Sequence, residues 1–429
     1  MKSTRHIQRT YYLVISLFWL ATGLPMALII LLGQARGLDL FEVGSLMGIY
    51  SLTIVLLEVP TGGLADAIGR KRVAVLAYSC FVVAGSVILF AFSLPLFLAG
   101  FILNGIGRAL SSGAMDAWFV DALQAADPEV DLQPALAKAG TYTLLSLGVG
   151  TLLGSYIPRL FEGLPADGSA VLTPYSMPIP FAITVNVVLV AVTILLVKED
   201  KTSTRAADWK QGVREVPAMV RTGFRLSQRN PTILLLLGAA MASGLALIGL
   251  ESFWQPYFAD LLGGGEGNSP FFGLVLGGSF LVGMAGNLLA TPASRWLKRR
   301  YGLVCAVFQG TWGAAIILLA LQTNAPSAVA LFWLAYLNMG VINSPHQTLL
   351  NREIPARHRS SMLSIASLAT YVGAMIGGVG LGYVAENASI GAAWIVGGMV
   401  LVVSLSLYLG VDMRQTKGQP RMDESLADA

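Results

Sequence analysis

Apolar residues in this chain are gathered into long runs, and short polar or charged stretches separate one run from the next. Each run has about 20 residues or more, the length that an α-helix needs to cross the hydrocarbon core of a bilayer. Backbone groups cannot stay unpaired in lipid, so runs of this length, rich in Leu, Ala and Gly, predict helices rather than barrel strands. The pattern predicts twelve spans, at about residues 11–33, 42–64, 73–93, 95–120, 136–161, 176–197, 232–259, 270–294, 302–322, 326–350, 361–385 and 389–411.

The composition is that of a membrane protein. Of its 429 residues, 55% are hydrophobic and 12% are charged, whereas about a quarter of the residues of a soluble protein are charged. The net charge of +4 does not indicate a nucleic-acid partner, because basic residues in a membrane protein report its topology. Cys80 and Cys305 lie inside apolar runs, so neither a disulfide framework nor a thiolate metal site is predicted. The first run is longer than a signal-peptide core, and we expect it to be a retained span.

The basic residues fall on one side of the predicted membrane. With the N-terminus placed in the cytosol, the basic loops and both chain ends lie inside, and only Arg36 and Arg159 lie outside. Cytoplasmic loops carry an excess of Lys and Arg. We therefore expect a multi-pass protein of the cytoplasmic membrane, in contact with the lipid bilayer, with both termini cytoplasmic.

The longest polar stretch, about residues 198–230, divides six runs from six. It carries more basic than acidic residues, which suits a segment along the inner leaflet. Two glycines in the second run, Gly44 and Gly48, recur in the eighth run 229 residues later, which indicates duplicated halves. We predict a six-helix bundle at residues 1–197, a cytoplasmic linker at 198–231, and a second six-helix bundle with a short cytoplasmic tail at 232–429.

A charged turn joins the second and third runs. Glycines let helix ends approach closely, a carboxylate can cap a helix N-terminus, and basic side chains stay out of hydrocarbon. The alternative is a short basic loop that only sets the topology. The residues of this turn are Gly62, Asp66, Gly69, Arg70, Lys71 and Arg72.

The turn resembles the signature loop between the second and third helices of the major facilitator superfamily, with Ala67 where the family usually has a basic residue. The resemblance covers nearly the whole chain. It implies an all-α membrane protein with twelve transmembrane helices in two pseudo-symmetric six-helix bundles, around a cavity that opens to either side in turn. It also implies that Asp66, Arg70 and Asp121 form a charge cluster that steadies the outward-facing state.

Signatures of soluble enzymes are missing from the sequence. It has no Walker-type Gly-x-x-x-x-Gly-Lys-Ser/Thr, no Gly-x-Ser-x-Gly elbow and no His-Glu-x-x-His, the motifs that would indicate nucleotide, acyl-transfer or zinc chemistry. We therefore expect no enzyme activity, no metal and no cofactor. An ion gradient, with protons as the suspected ion, or the gradient of the substrate itself is then the expected driving force.

Arg108 is the clearest ionisable residue inside a run. It lies about 18 Å from either end of the fourth span, where a charge costs at least a few kcal/mol unless it is paired or wet. At about 100° per residue, Asn104, Arg108 and Ser111 share one helix face, and we expect that face to line a cavity. Many members of the family carry an arginine in this span that is linked with proton coupling. The alternative is an arginine held by a neighbouring helix.

Carboxylates and one histidine provide further candidates. Asp116 and Glu58 are predicted to exchange protons with the help of Arg108, or else to be interface charges hydrated from the inside. We interpret Glu251 as an interface charge near the outer surface, with a half-buried gate as the alternative. His346 is interpreted as a satisfied helix-end histidine, with a proton relay as the alternative.

Aromatic residues in the first, fourth, seventh and tenth spans predict a largely apolar cavity that suits amphipathic substrates. In the fifth span, Gly150 and Gly154 resemble the family's antiporter motif, with Ser155 where that motif has proline. We therefore predict a monomeric secondary active transporter that exports a small amphipathic molecule in exchange for protons, with Arg108 and either Asp116 or Glu58 as the coupling groups. The alternatives are an uptake symporter or facilitator of a polar nutrient and a non-transporting receptor or scaffold.

Overall fold

The computed structural model describes residues 4–199, 230–264, 267–354 and 359–416, without the side chains at 59, 60, 62, 63, 66, 67 and 359–363. All regular structure in these ranges is helical, and twelve helical stretches are long and apolar enough to cross a membrane. We number them span 1 to span 12. Their helices are, in order, Thr4–Met26 with Ile29–Ala35, Leu40–Ile68, Arg70–Leu89, Leu94–Ser111 with Ala114–Ala126, Leu132–Tyr156, Pro178–Leu196, Pro231–Leu261, Ser269–Trp296, Tyr301–Ala320, Ala325–Glu353, Arg359–Asn387 and Ile390–Thr416.

The twelve predicted spans are confirmed, but two of them are interrupted. Span 1 breaks between Met26 and Ile29, one residue after Pro25. Span 4 breaks at Gly113, which adopts a left-handed conformation with φ of 72°. Hydropathy alone predicts each of them as one continuous helix, because a break of two residues leaves the apolar pattern intact.

Helix ends follow ordinary capping chemistry. Asp39 accepts a hydrogen bond from the backbone N–H of Glu42, and the Glu42 side chain accepts one from the backbone N–H of Asp39, which makes a capping box at the start of span 2. Asn230 and Asn324 cap spans 7 and 10 through their side-chain oxygens. These polar groups satisfy the backbone donors that a helix start leaves free, and they fix where the spans begin.

The packing of the spans repeats after six. Span 1 packs on spans 5 and 6, span 4 on spans 2 and 3, and span 3 on span 6; in the second half span 7 packs on 11 and 12, span 10 on 8 and 9, and span 9 on 12. The two sets of six meet through spans 2 and 11 and through spans 5 and 8. Adding six to each span number converts one set of contacts into the other, so the fold consists of two pseudo-symmetric six-helix bundles.

Glycines allow the closest helix contacts, as the small residues of membrane helices commonly do. A Cβ added to Gly154 of span 5 would overlap the carbonyl oxygen of Leu24 in span 1, and one added to Gly373 of span 11 would overlap that of Met241 in span 7. Span 5 on span 1 and span 11 on span 7 are therefore the same contact in the two bundles.

Glycines bring the two bundles into close contact on one side of the molecule. We call the side of the molecule with Thr4 and Thr416 the terminal side, and the opposite side the distal side. On the distal side Gly44 of span 2 lies against the backbone of Gly378 and Gly382 in span 11. The spans 5 and 8 meet there too, where Gly273 lies against Ser155. The distal end of the interface is therefore packed backbone against backbone.

Most of the predicted linker at residues 198–231 lies outside the described residues. Its first two positions are described, and both are tied to the first bundle. The indole N–H of Trp118 donates to the carbonyl oxygen of Lys198 at 3.1 Å. The carboxylate of Glu199 accepts from the backbone N–H groups of Arg70 and Lys71 at 2.8 and 3.1 Å.

Candidate functional site

A cavity of about 360 Å³ lies between the two bundles, and we call it the central cavity. Spans 1, 2, 3, 4 and 6 of the first bundle and spans 7, 8 and 10 of the second contribute to its wall. The wall is mainly apolar and aromatic, with Trp19 and Trp254 on spans 1 and 7. Its polar side chains are few, as is usual for small-molecule sites: Thr22, Tyr50, Asn104, Arg108, Asn186, Glu251, Gln255 and Tyr336.

Arg108 lies in the wall of the central cavity, about one helical turn before the interruption of span 4. Its guanidinium carbon is 5.9 Å from the centre of a Trp19 ring. Within the described residues, neither a hydrogen bond nor a carboxylate within ion-pair distance holds the guanidinium. Asn104, one helical turn earlier, lines the same cavity. The side chain is half-buried, so its charge is tolerated where water or cargo reaches it.

The predicted polar face of span 4 divides at the break. Ser111 lines a second cavity of about 250 Å³, which we call the side cavity. Arg108 lines both cavities, so they adjoin at this residue. Beyond Gly113 the chain restarts as a helix, and Asp116 in its first turn lines the side cavity.

Glu251 of span 7 lies in the wall of the central cavity. The interpretation of this residue as an interface charge near the outer surface is therefore wrong. Span 7 continues for ten residues beyond it, to Leu261, which is about 15 Å of helix. No cation or hydrogen-bond donor among the described residues bonds this carboxylate. Tyr50 lines the same cavity as Arg108 and Glu251.

Asp116 and Glu58, unlike Glu251, each have a hydrogen-bond partner. The hydroxyl group of Tyr11 donates to Asp116, and Tyr11 stacks on Phe119 with ring centres 4.0 Å apart. Glu58 accepts from the hydroxyl group of Ser367 in span 11 at 3.2 Å. Glu58 therefore joins the two bundles, and it is absent from the walls of both cavities. The coupling roles of Asp116 and Glu58 stay predictions.

The turn between spans 2 and 3 is held by several polar contacts on the terminal side. Arg70 forms an ion pair with Asp121 of span 4. The Lys71 ammonium donates to the carbonyl oxygen of Ile194 at 2.7 Å, and the Arg72 guanidinium to that of Ile68 at 3.4 Å. Gly69 has a φ of 99°, a conformation that favours glycine. The side-chain position of Asp66 and the surroundings of Gly62 lie outside the described part of the structure. Of the predicted charge cluster of Asp66, Arg70 and Asp121, the structure therefore describes the Arg70–Asp121 ion pair.

Two acidic residues that were not predicted from the sequence contact the turns before span 3 and span 9. Glu199 caps the start of span 3, where no side chain of the turn itself does so. In the second bundle, Arg300 pairs with the buried Asp412 of span 12. Both acids follow the sixth span of their bundle or lie in it. Comparing the ends of spans 6 and 12 would have found them, because the six-span repeat places each end beside the start of span 3 or 9.

Two further side chains of span 10 are held by hydrogen bonds within the second bundle. His346 shares a 2.8 Å hydrogen bond with Tyr408, as expected of a satisfied histidine. The indole N–H of Trp333 donates to the carbonyl oxygen of Val275. Over the described ranges, no cluster of three or more metal-ligating side chains occurs.

The chain is similar to known membrane transporters in sequence profile and in fold. The sequence profile of the Major Facilitator Superfamily matches residues 11–360. The fold is similar to the nucleoside transporter NupG, with a TM-score of 0.72, 14% identity, and coverage of 96% of this chain and 99% of that one. The human organic anion transporter MFSD10 (TETRAN) gives a TM-score of 0.62, 15% identity, and coverage of 95% and 100%.

A POT family transporter in complex with 5-aminolevulinic acid gives a TM-score of 0.68, 12% identity, and coverage of 95% of this chain and 96% of that one. No curated protein sequence matches the chain. At these identities the three structures establish the fold and not the substrate.

Proposed function

Because this chain belongs to the Major Facilitator Superfamily and is a membrane transporter of that type, we propose that it moves a small amphipathic molecule with a charged group by alternating access. Arg108 and Glu251 are the charges that bind the molecule, and protons drive the transport through Glu251. The observation that carries the proposal is that these two residues line one cavity from different bundles and have no bonded partner among the described residues.

The chemistry of the cavity supports an amphipathic substrate. Its aromatic and aliphatic wall favours apolar surface, while a guanidinium pairs with an anionic group and a carboxylate with a cationic one. A molecule that carries both charges next to an apolar group, such as an aromatic zwitterion, would contact both bundles at once. Contacts to both bundles are what a substrate needs in order to act on their relative positions.

Proton coupling follows if the substrate and the proton compete at Glu251. A proton on this carboxylate removes its charge, so the cationic group of the substrate loses its partner. The Arg108 guanidinium holds the anionic group in either case. Asp116, which adjoins Arg108 through the side cavity, would accept the proton as it leaves toward the terminal side.

The terminal side is the cytoplasmic side in this proposal, as the distribution of basic residues favours. Export is the proposed direction, because an apolar cavity suits molecules that reach it from the membrane or the cytosol. The ion pair Arg70–Asp121, with Asp66, would steady the state that is closed on the terminal side. Uptake of a polar nutrient is the alternative, and direct measurement of the direction decides between the two.

Ligand protection of a cysteine tests the proposed binding site. Met47→Cys places a thiol in the cavity wall, in a chain with Cys80→Ala and Cys305→Ala. Purified protein is labelled with a maleimide in the presence of phenylalanine, benzoate, tetraphenylphosphonium, uridine or glucose. We expect phenylalanine or another aromatic zwitterion to slow labelling, and Arg108→Gln or Glu251→Gln to abolish the protection. Protection by glucose or uridine alone, unchanged by both substitutions, would contradict the proposal.

Proton coupling needs a separate measurement. Proteoliposomes take up a compound that gives protection, with and without a pH gradient. We expect accumulation with the gradient, and none after a protonophore collapses it. Accumulation that is unaffected by the protonophore would remove the proton from the proposal and leave the binding site untouched.

A further inference from the structure

Gln255 of span 7 occupies a gap in the backbone of span 1. In an uninterrupted helix the N–H of Ile30 would donate to the carbonyl oxygen of Met26, four residues earlier. Span 1 is broken here, and Gln255 takes both places. Its side-chain oxygen accepts from the Ile30 N–H at 3.1 Å, and its side-chain N–H donates to the Met26 oxygen at 2.9 Å.

The surroundings make this contact specific. Gln255 is only 2% exposed, and a buried donor or acceptor without a partner is costly. The Gln255 amide replaces the missing helical hydrogen bond of span 1, and its own donor and acceptor both gain a partner. Each of the two helices also carries a proline beside the contact, Pro25 in span 1 and Pro256 in span 7. Because proline has no N–H, both backbones lack a hydrogen bond there and can bend.

We propose that Gln255 is the latch of the distal gate: it holds the two bundles together on the distal side by bridging Met26 and Ile30, and its release lets span 1 re-form the direct Met26–Ile30 hydrogen bond. The exchange leaves few groups unpaired. In the closed state two hydrogen bonds cross between the bundles. In the open state one returns to span 1 as a helical bond, and water entering the distal opening solvates the Gln255 amide. The closed and open states therefore differ little in the number of their hydrogen bonds, which suits an equilibrium that must run in both directions.

The latch is connected to the binding site through span 7. Gln255 lies four residues, about one helical turn, from Glu251, and both line the central cavity. A ligand or a proton that changes the position of Glu251 therefore acts on the helix that carries the latch. This inference rests on the proposed transport by alternating access, but on neither the chemistry of the substrate nor the driving ion.

Distances between spin labels on the distal side test the proposal. Labels are attached at Ser93→Cys and Ala388→Cys, exposed positions at the distal ends of the two bundles, in the full chain with Cys80→Ala and Cys305→Ala. Gln255→Met keeps the shape of the side chain and removes both hydrogen bonds. Because the closed state loses both hydrogen bonds of Gln255, and the open state loses none within the protein, we expect the ratio of open to closed molecules to rise about fivefold or more.

Gln309→Met is the matched control. Gln309 is also a fully buried glutamine, and its amide bonds Ser243 and Ser404, all within the second bundle. We expect it to lower stability and leave the distance distribution unchanged. Pro25→Ala is the second variant, because it restores an N–H in span 1 and favours the straight helix while Gln255 stays intact; it should shift the distances in the same direction.

The outcomes are separable. Unchanged distances in both folded Gln255→Met and Pro25→Ala, or an equal shift in Gln309→Met, would overturn the latch. If Gln255→Met does not fold, Pro25→Ala alone decides. Failure of the cysteine-protection experiment would remove the proposed binding charges without changing any of these distances.

Discussion

The replacement of Glu251 by glutamine tests the proposed site by its effect on both stability and transport. The carboxylate lines a mainly apolar cavity without a bonded partner among the described residues. An unpaired charge there is costly, although the partial exposure of Glu251 lets water reduce the cost to about 1–2 kcal/mol. The amide keeps the shape and removes the charge. We therefore expect Glu251→Gln to be more stable than the natural protein and defective in transport.

The expected change in melting temperature is small but measurable. An unfolding entropy of about 2 cal/mol/K per residue converts the gain of ~1–2 kcal/mol to a rise of about 1–2 °C. Melting is followed in detergent, and proton-driven accumulation is followed in proteoliposomes, where it should be lost. Glu58→Gln is the matched control, because Glu58 is bonded to Ser367 outside the cavity walls. A fall in the Glu251→Gln melting temperature, or full proton-driven accumulation, would refute the reasoning.

Three further predictions test the structure away from the cavity. Asp412→Ala should cost about 2–3 kcal/mol of stability, because the Asp412 side chain that pairs with Arg300 is only 4% exposed. Asp121→Ala should cost at most about 1 kcal/mol, because the Asp121 side chain is 59% exposed. Equal losses of stability in chemical denaturation would contradict this. Gly154→Ala should cost about 1–3 kcal/mol through overlap with span 1, and Gly148→Ala on the same helix, which meets open space, should not; a melting comparison decides. Gly113→Ala should cost about 1 kcal/mol from its φ of 72° alone, and a neutral result would mean that span 4 is not interrupted there.

The sequence predicts the twelve spans because lipid imposes one requirement, a long apolar helix, that hydropathy measures directly. The repeat of glycines 229 residues apart likewise reflects the two-fold contact pattern. The breaks in spans 1 and 4 were not predictable from hydropathy, since Gly113 and Pro25 are common in membrane helices and only tertiary contacts decide whether they interrupt one.

The candidate site was predicted in part. Arg108 is found by the rule that a mid-span charge needs water or a partner. The sequence places Glu251 near the outer surface, because the position of a residue along span 7 can be counted but the depth of the cavity cannot. The depth of a residue along a helix can be read from sequence, but the direction in which its side chain points between bundles cannot. The same limit applies to Gln255, whose partner is the backbone of a helix 225 residues away.

The most direct test of the proposed binding charges is a structure of the protein with a transported compound bound. The compound should lie in the central cavity with its anionic group on Arg108 and its cationic group on Glu251. A compound bound elsewhere, or bound in this cavity with both side chains left unpaired, would contradict the proposal.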